Sequence, residues 1–212
     1  IGASTLSTND IVDSNVILTR GTSATSDSDG IQIVRALGTL VVRNNITLAA
    51  DGTTNDGISF GDATTIFANN SNVTYNTITG ISGTNNGIYL WRGSTNNTVV
   101  GNNITNVRNG IVLDMVSPSN PTKTRIALNI FDNITGYELQ FVDGNINGTV
   151  IEDQAIGNYS LNGNIVTFNK TLFGSVSFLQ PVNGTGINLS RDIQIYNNSV
   201  FVNGSTAKSL NK

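Results

Sequence analysis

The 212-residue sequence contains no cysteine, no histidine and little charge. The first two absences exclude a disulfide framework, a thiol nucleophile, a histidine base and zinc sites of the usual kind. Charged residues make up 12% of the chain, about half of the usual share, and the formal net charge is -3. Because no basic run occurs, nucleic-acid binding is not expected. No stretch reaches the length of a transmembrane helix, so no membrane span is expected.

Apolar residues are also few, at 38%, and most of the polarity comes from side chains that carry no charge. The chain has 32 Asn, 26 Thr, 19 Ser and 22 Gly. Asn, Gly and Ser favour turns, whereas Thr, Val and Ile favour strands. The composition therefore predicts an all-β fold with many turns. Disorder is the competing interpretation of such polarity, but the apolar residues alternate in short runs, which favours strands.

Two short markers recur along the chain in the same order. A glycine followed by an alternating strand occurs at Gly30, Gly57, Gly87 and Gly110, with looser copies at Gly136 and Gly174. The first four steps are 27, 30, 23 and 26 residues. An Asn before a β-branched residue recurs at Asn45, Asn76, Asn103, Asn129 and Asn164. Such a period indicates a solenoid whose corners vary in length while its strands keep their phase.

The repeat predicts one domain, residues 1–212, coiled into a solenoid of about seven turns with about three strands in each. Matching strands of successive turns would pair in parallel, about 4.8 Å apart, with alternate residues pointing into a dry interior. One inward column is expected to contain Ile31, Ile58, Ile88, Ile111, Tyr137 and Val176, and the next Ile33, Phe60, Leu90, Leu113, Leu139 and Phe178. Corner Asn side chains can form a hydrogen-bonded ladder, and Asn45 and Asn103 are expected to belong to it.

The order G-I-x-L, N-N-T-V, G-N-x-I within residues 87–104 resembles the right-handed parallel β-helix superfamily. It is most similar to the Asn-rich branch of carbohydrate-binding and sugar-hydrolase β-helices, which includes many archaeal surface proteins. Residues 38–145 carry this likeness well. The resemblance implies an all-β, right-handed parallel β-helix of about seven turns. It says little about function, because solenoids host many unrelated activities.

The family's chemistry has few matching residues here. Its lyases use an acidic calcium cluster with a basic residue, and its hydrolases use Asp clusters, but the acids of this chain fall in corners of different turns. The calcium nonapeptide G-G-x-G-x-D is absent, and the copper ligands of related accessory proteins are reduced to Met115. No catalytic residue, metal site or cofactor is therefore assigned.

One outer patch combines aromatic rings, acids and a base. Alternation is expected to place Tyr89, Val112 and Glu138 outward in one column and Trp91, Asp114 and Gln140 in the next, with Arg92 following Trp91. The candidate carbohydrate-binding residues are Tyr89, Trp91, Arg92, Asp114, Glu138 and Gln140. The rings would stack on a pyranose, while Asp114 and Glu138 would act as hydrogen-bonding or acid/base groups. The alternative is a solvated face, or a contact to a neighbouring subunit.

Glycosylation sequons, Asn-x-Ser/Thr, occur 13 times. The candidates for modification are Asn96 and Asn183 in Gly- or Ser-flanked corners, followed by Asn69, Asn72, Asn147, Asn158 and Asn203. Part of this number follows from the repeat copying itself. Many glycosylatable corners are nevertheless typical of an exported protein, and the composition resembles that of archaeal surface-layer and sheath proteins.

Three functional classes follow in order. The first is an extracellular structural β-solenoid, a subunit of a cell-surface layer, sheath or filament, whose partners are copies of itself. The second is a carbohydrate-binding module that recognises a polysaccharide. The third is a polysaccharide-degrading enzyme, for which the fold, Asp114 and Glu138 are the only support. The sequence begins with Ile1, which suggests a processed chain or a fragment. The strand-like stretch 192–202 suggests an end that stacks on another copy.

Overall fold

The structure is a computed structural model of the 212-residue chain. It describes residues 6–19, 28–48, 55–61, 67–81, 85–91, 93–114, 123–142 and 149–152, and the backbone of the strands that follow as far as residue 195.

Every regular element in this part of the chain is a short β-strand. In chain order the first fifteen are β1 (Ser7–Thr8), β2 (Ile11–Asp13), β3 (Val16–Thr19), β4 (Ile31–Ile33), β5 (Ala36–Leu37), β6 (Leu40–Val42), β7 (Asn45–Leu48), β8 (Asp56–Phe60), β9 (Ala68–Asn69), β10 (Asn72–Thr74), β11 (Thr77–Gly80), β12 (Asn86–Leu90), β13 (Thr98–Val100), β14 (Asn103–Thr105) and β15 (Asn109–Asp114). The others are β16 (Arg125–Ala127), β17 (Ile130–Asp132), β18 (Leu139–Val142), β19 (Thr149–Glu152), β20 (Ala155–Ile156), β21 (Tyr159–Gly163), β22 (Val166–Asn169), β23 (Leu172–Phe173), β24 (Phe178–Pro181), β25 (Asn188–Leu189) and β26 (Gln194–Ile195).

Three long parallel sheets form the faces of a coil. Sheet 1 has eight strands in the order β2-β6-β10-β13-β16-β19-β22-β25. Sheet 2 has five, β17-β14-β11-β7-β3, and sheet 3 has seven, β24-β21-β18-β15-β12-β8-β4. Two three-stranded sheets, β1-β5-β9 and β20-β23-β26, lie beside them in the chain order. Each strand pairs with its counterpart one turn away, so the expected all-β parallel solenoid is confirmed.

The expected number of turns was too high. All three faces are present together only from the β2–β3–β4 turn to the β16–β17–β18 turn, which are about four turns apart along the coil. Beyond β17, sheet 2 adds no strand in the described residues, although sheets 1 and 3 continue. A right-handed coil is the usual result of parallel crossover connections, and the hand of this coil stays a prediction.

The core consists of stacked apolar columns, as the alternating strands predict. Ile58, Ile88 and Ile111 are in register in β8, β12 and β15, and all three are fully buried. The beginning of the column at Ile31 is also confirmed. Because each such side chain packs between its neighbours above and below, the column leaves no space for water.

The register of β18 differs from the expectation by two residues. Leu139, not Tyr137, pairs with Ile111, and Phe141, not Leu139, pairs with Leu113. The glycine marker caused the error, since Gly136 donates its N–H to Arg108 O at 2.7 Å and therefore lies before the strand begins. The column position of Gly110 is taken by Glu138. In the same way Phe178 is in register with Ser160, and through it with Gln140, and Val176 lies outside the described residues.

A two-residue corner joins sheet 1 to sheet 2 in each of five turns. Its first residue has a positive φ, and these residues are Ser14, Arg43, Tyr75, Gly101 and Leu128. Its second residue is always Asn, at Asn15, Asn44, Asn76, Asn102 and Asn129. The left-handed residue turns the chain sharply, so the Asn that follows points into the interior.

These Asn residues form a ladder through the buried corner. Asn44 Nδ2 donates to Asn76 Oδ1 at 2.9 Å, and Asn76 Nδ2 donates to Asn102 Oδ1 at 3.0 Å. The ladder runs on to Asn129 Oδ1 at 2.9 Å, and Asn15 begins it with a bond of 2.9 Å to Asn44 Oδ1. Each Oδ1 thus accepts a bond from the turn before it, and each of these amides except the first is buried.

The expected ladder residues Asn45 and Asn103 were wrong by one position. Asn45 is exposed and Asn103 is half-buried at outward positions of β7 and β14. The inward residues of these strands are Ile46 and Ile104. Since alternate residues share a face, the Asn two positions before each Ile points inward, and the Asn directly before it points outward.

Candidate functional site on the outer face of sheet 3

Strands β12 and β15 lie side by side and bring three of the candidate side chains together. Tyr89 pairs with Val112 and Leu90 with Leu113, so Trp91 and Asp114 follow at the same level of the two strands. Trp91 lies directly after β12, and its N–H donates to Phe60 O at 2.9 Å. Asp114 is the last residue of β15. The inward Leu90 and Leu113 thereby fix the positions of their outward neighbours.

Tyr89 connects the two strands through its hydroxyl. The Tyr89 O–H donates a hydrogen bond to Asp114 Oδ2. The ring of Tyr89 also lies against Trp91, with 5.4 Å between the ring centroids and 50° between the planes. Such tilted aromatic pairs are favourable, at about 0.5–1.5 kcal/mol beyond the area they bury. Tyr89 therefore holds both an aromatic neighbour and a carboxylate in fixed places.

Asp114 is not the solvated side chain that alternation predicts. It has the outward parity of its strand, but only 9% of its surface is exposed. Its Oδ1 atom is buried and has no hydrogen-bond partner. A buried carboxylate oxygen without a donor is unfavourable by about 1–3 kcal/mol or more, so Asp114 is the polar group in this patch that would gain most from a donated hydrogen bond.

The register of β18 separates the other two candidates from this group. Gln140 pairs with Val112 and so joins the column of Tyr89, not that of Asp114. Glu138 precedes β18 and lies at the level of Gly110, four residues before Asp114 on the neighbouring strand. That offset is about 13 Å along the strand direction. The paired carboxylates of glycosidases lie about 5–9.5 Å apart, so Asp114 and Glu138 do not form such a pair. Arg92 lies outside the described residues.

Three of the glycosylation candidates lie in the described part of the chain, and four do not. Asn72 is exposed at the start of β10, and Asn69 is half-buried. Asn96 is exposed at a corner with a φ of +57°, and its Nδ2 donates to Asn70 Oδ1 at 2.6 Å. Asn147, Asn158, Asn183 and Asn203 lie outside the described residues.

The analysis of the sequence missed a second polar ladder, which precedes sheet 3. Asp56 N–H donates to Asp29 Oδ1 at 2.9 Å, Asn86 Nδ2 to Asp56 Oδ1 at 2.9 Å, and Asn109 Nδ2 to Asn86 Oδ1 at 2.9 Å. Each of these residues stands directly before a glycine marker. The signal was therefore the Asp/Asn-Gly pair and not the glycine alone. Asp29 and Asp56 are part of the scaffold, since Ser59 Oγ also donates to Asp29 Oδ2.

Two ion pairs are present among the described residues, both on the outer surface of sheet 1. Arg43 pairs with Asp13 and Arg125 with Glu152, each across one turn. The hydrogen bond from Arg43, assisted by one from Ser14, lowers the pKa of the Asp13 carboxyl below its ordinary value of 3.8. Both members of the Arg43–Asp13 pair are partly exposed, so the pair stabilises the fold only slightly.

Further features were sought in the described residues. No group of three or more acidic side chains there is placed to hold a metal ion. None of the elements described is a helix that could cross a membrane. Comparison of the chain with protein-family models, with curated proteins and with solved structures gave no match.

Proposed function

We propose that the chain is an extracellular structural β-solenoid, a subunit of a cell-surface layer, sheath or filament, with N-linked glycans on part of its sequons. The observation that carries the proposal is the Asn ladder from Asn15 to Asn129. It gives the abundant Asn a structural role in every turn. Because each buried amide bonds to the turns before and after it, the coil is held as a rigid rod.

An apolar stripe on the outside of the rod supports contact with a second copy. Tyr75 and Leu128 occupy the same corner two turns apart, and Ile130 begins β17 just beyond. Their exposed fractions are 63%, 52% and 62%. Such a stripe is suited to lateral packing, since burying it removes apolar surface from water.

Two measurements test the assembly. Electron microscopy of the native material should show sheets or filaments, and light scattering of the purified chain should show a mass that rises with concentration. Ile130→Lys should reduce this rise, because it places a charge in the contact. Asn72→Lys, on another face, is the matched control. A monodisperse monomer at millimolar concentration would overturn the assembly.

A carbohydrate-binding module is the second candidate, favoured by the Tyr89–Trp91–Asp114 group. Its tilted rings offer aromatic faces to a pyranose, and Asp114 Oδ1 lacks a donor that a sugar hydroxyl could supply. The chain has a single Trp, so its fluorescence reports directly on this site. A soluble polysaccharide should change the emission of Trp91 in a saturable way.

Variants separate this candidate from a nonspecific change in fluorescence. Asp114→Asn and Tyr89→Phe keep Trp91 and should weaken saccharide binding, whereas Thr98→Ala on sheet 1 should leave it unchanged. If no neutral or charged polysaccharide alters the emission, or if all three variants bind alike, the module is rejected. The separation of Asp114 from Glu138 leaves the polysaccharide-degrading alternative without a catalytic pair.

A further inference from the structure

We propose that Asn45 and Asn72 are the N-glycan acceptors in the described part of the chain. The inference rests on the proposed glycosylated surface protein and names its modification sites. N-glycosylation joins the sugar to the side-chain Nδ2 of Asn and adds a bulky, solvated group. In the folded rod, an acceptor must therefore present its amide to solvent. It must also make no hydrogen bond through the nitrogen that will be substituted.

Six sequons begin in the described residues, and most of them fail one of these conditions. Asn96 Nδ2 donates to Asn70 Oδ1 at 2.6 Å, and Asn133 Nδ2 donates to Asn106 Oδ1 at 2.7 Å. Asn69 is half-buried, and its Oδ1 accepts a bond of 2.7 Å from Thr95 N–H. Asn103 is also half-buried. Modification of these residues would break an existing bond or require space that the neighbouring turns occupy.

Asn45 and Asn72 meet both conditions. Both side chains are exposed, and neither forms a side-chain hydrogen bond to the described residues. Each begins a strand just after a corner, and its backbone N–H donates to the previous turn, to Asn15 O and to Thr39 O respectively, at 2.8 Å in both cases. The backbone is thus fixed with the amide pointing away from the rod.

The strand geometry also places the second half of the sequon correctly. Residues two apart on a strand lie on the same face, so the hydroxyls of Thr47 and Thr74 are on the outer surface with their Asn. No charged side chain pairs with either Asn in the neighbouring strands. These neighbours are Val16 and Thr77 for Asn45, and Leu40 and Thr98 for Asn72.

The surface beside Asn45 supplies an independent reason for a glycan there. Val16 pairs with Asn45 and Leu18 with Thr47, and these apolar side chains are 85% and 50% exposed. A glycan on Asn45 would lie over them, since sugar rings have apolar faces that pack on apolar side chains. Outward Val and Leu at this density on a rod surface would otherwise favour unspecific association.

The test is site-resolved mass spectrometry on the protein isolated from its own cells. We expect the sugar mass on the peptides containing Asn45 and Asn72, and bare peptides around Asn96 and Asn133. Asn45→Gln and Asn72→Gln, produced in the same cells, should each lower the intact mass by one glycan, whereas Asn96→Gln should not. Unmodified Asn45 and Asn72 would overturn the inference, whether or not other sequons carry sugar. Electron microscopy of the same preparation reports on the surface assembly separately, so failure of one proposal does not imply failure of the other.

Discussion

Asn76 donates its side-chain amide to Asn102 Oδ1 across one turn, at 3.0 Å, and both side chains are 1% exposed or less. Asn76 Oδ1 in turn accepts from the backbone N–H and from the Nδ2 of Asn44, each at 2.9 Å. Each such residue therefore satisfies groups on two neighbouring turns. The corner could not be buried without these bonds, because unpaired polar groups in the interior are unfavourable.

Replacement of a ladder residue should be strongly destabilising. Asn76→Ala would leave the amide of Asn44 and the oxygen of Asn102 without partners, and we expect a loss of about 2–4 kcal/mol in the free energy of unfolding. Asn72→Ala, four residues earlier and exposed, should change it by less than about 0.5 kcal/mol. Urea titrations followed by circular dichroism measure both. Equal losses would show that the ladder does not stabilise the coil.

The Tyr89–Asp114 bond can be measured by a double-mutant cycle. Tyr89→Phe and Asp114→Ala should each have a measurable effect on unfolding, and the pair should show a coupling of about 0.5–1.5 kcal/mol. The solvated Asp114 expected from alternation would have given no coupling. As a comparison within the core, Leu113→Asp should be destabilising by several kcal/mol, because it buries an unpaired charge. Additive single effects would contradict the hydrogen bond.

Gly101 is required at its corner for two separate reasons. Its φ is +69°, and a Cβ there would lie 2.6 Å from the ring of Tyr75. Gly101→Ala should therefore be destabilising by more than about 1 kcal/mol. In a Tyr75→Ala background the steric part should disappear and the backbone part should remain. Thermal unfolding of the four proteins separates the two, and a full rescue would leave no role for the positive φ.

The Arg43–Asp13 pair predicts a small pH dependence of stability. Arg43 lowers the pKa of Asp13 in the folded state, so the stabilisation is present above the unfolded pKa of about 3.9. It is lost as the pH falls through the folded value. Arg43→Gln should lower the midpoint of urea unfolding slightly at pH 6 and not at pH 2. Arg108→Gln, which removes an exposed arginine that forms no ion pair to the described residues, is the control. A loss of equal size at both pH values would contradict the pair.

Local pattern was enough to predict the solenoid. Strand alternation and the two markers place Ile58, Ile88 and Ile111 in one column, because a parallel coil can bury its apolar residues only if equivalent positions stack. The same reasoning correctly gave Leu90 and Leu113 inward parity and Trp91 and Asp114 outward parity. Parity is a property of the single strand, and it can therefore be read without knowing what lies beside that strand.

The register between strands could not be predicted in the same way. Gly136 has the appearance of a strand start, but it lies two residues before one, and this displaced Glu138 and Gln140 from their expected columns. The choice is decided by which side chains fill the interior beside Ile111 and Leu113. Leu139 and Phe141 are buried there, whereas Tyr137 is not. That competition depends on packing across turns, which the order of residues does not show.

The sequence by itself determined the fold class, the inward parity of the strands and the chemical character of the surface, which is rich in amide and hydroxyl groups. These follow from alternation and composition, which act residue by residue. Only the tertiary structure decided which Asn of each Asn-Asn pair is buried and which is exposed. It also decided that Asp114 is buried beside Tyr89 while Glu138 lies elsewhere. The reason is that corner bends and inter-strand register are set by contacts between turns some 23–32 residues apart.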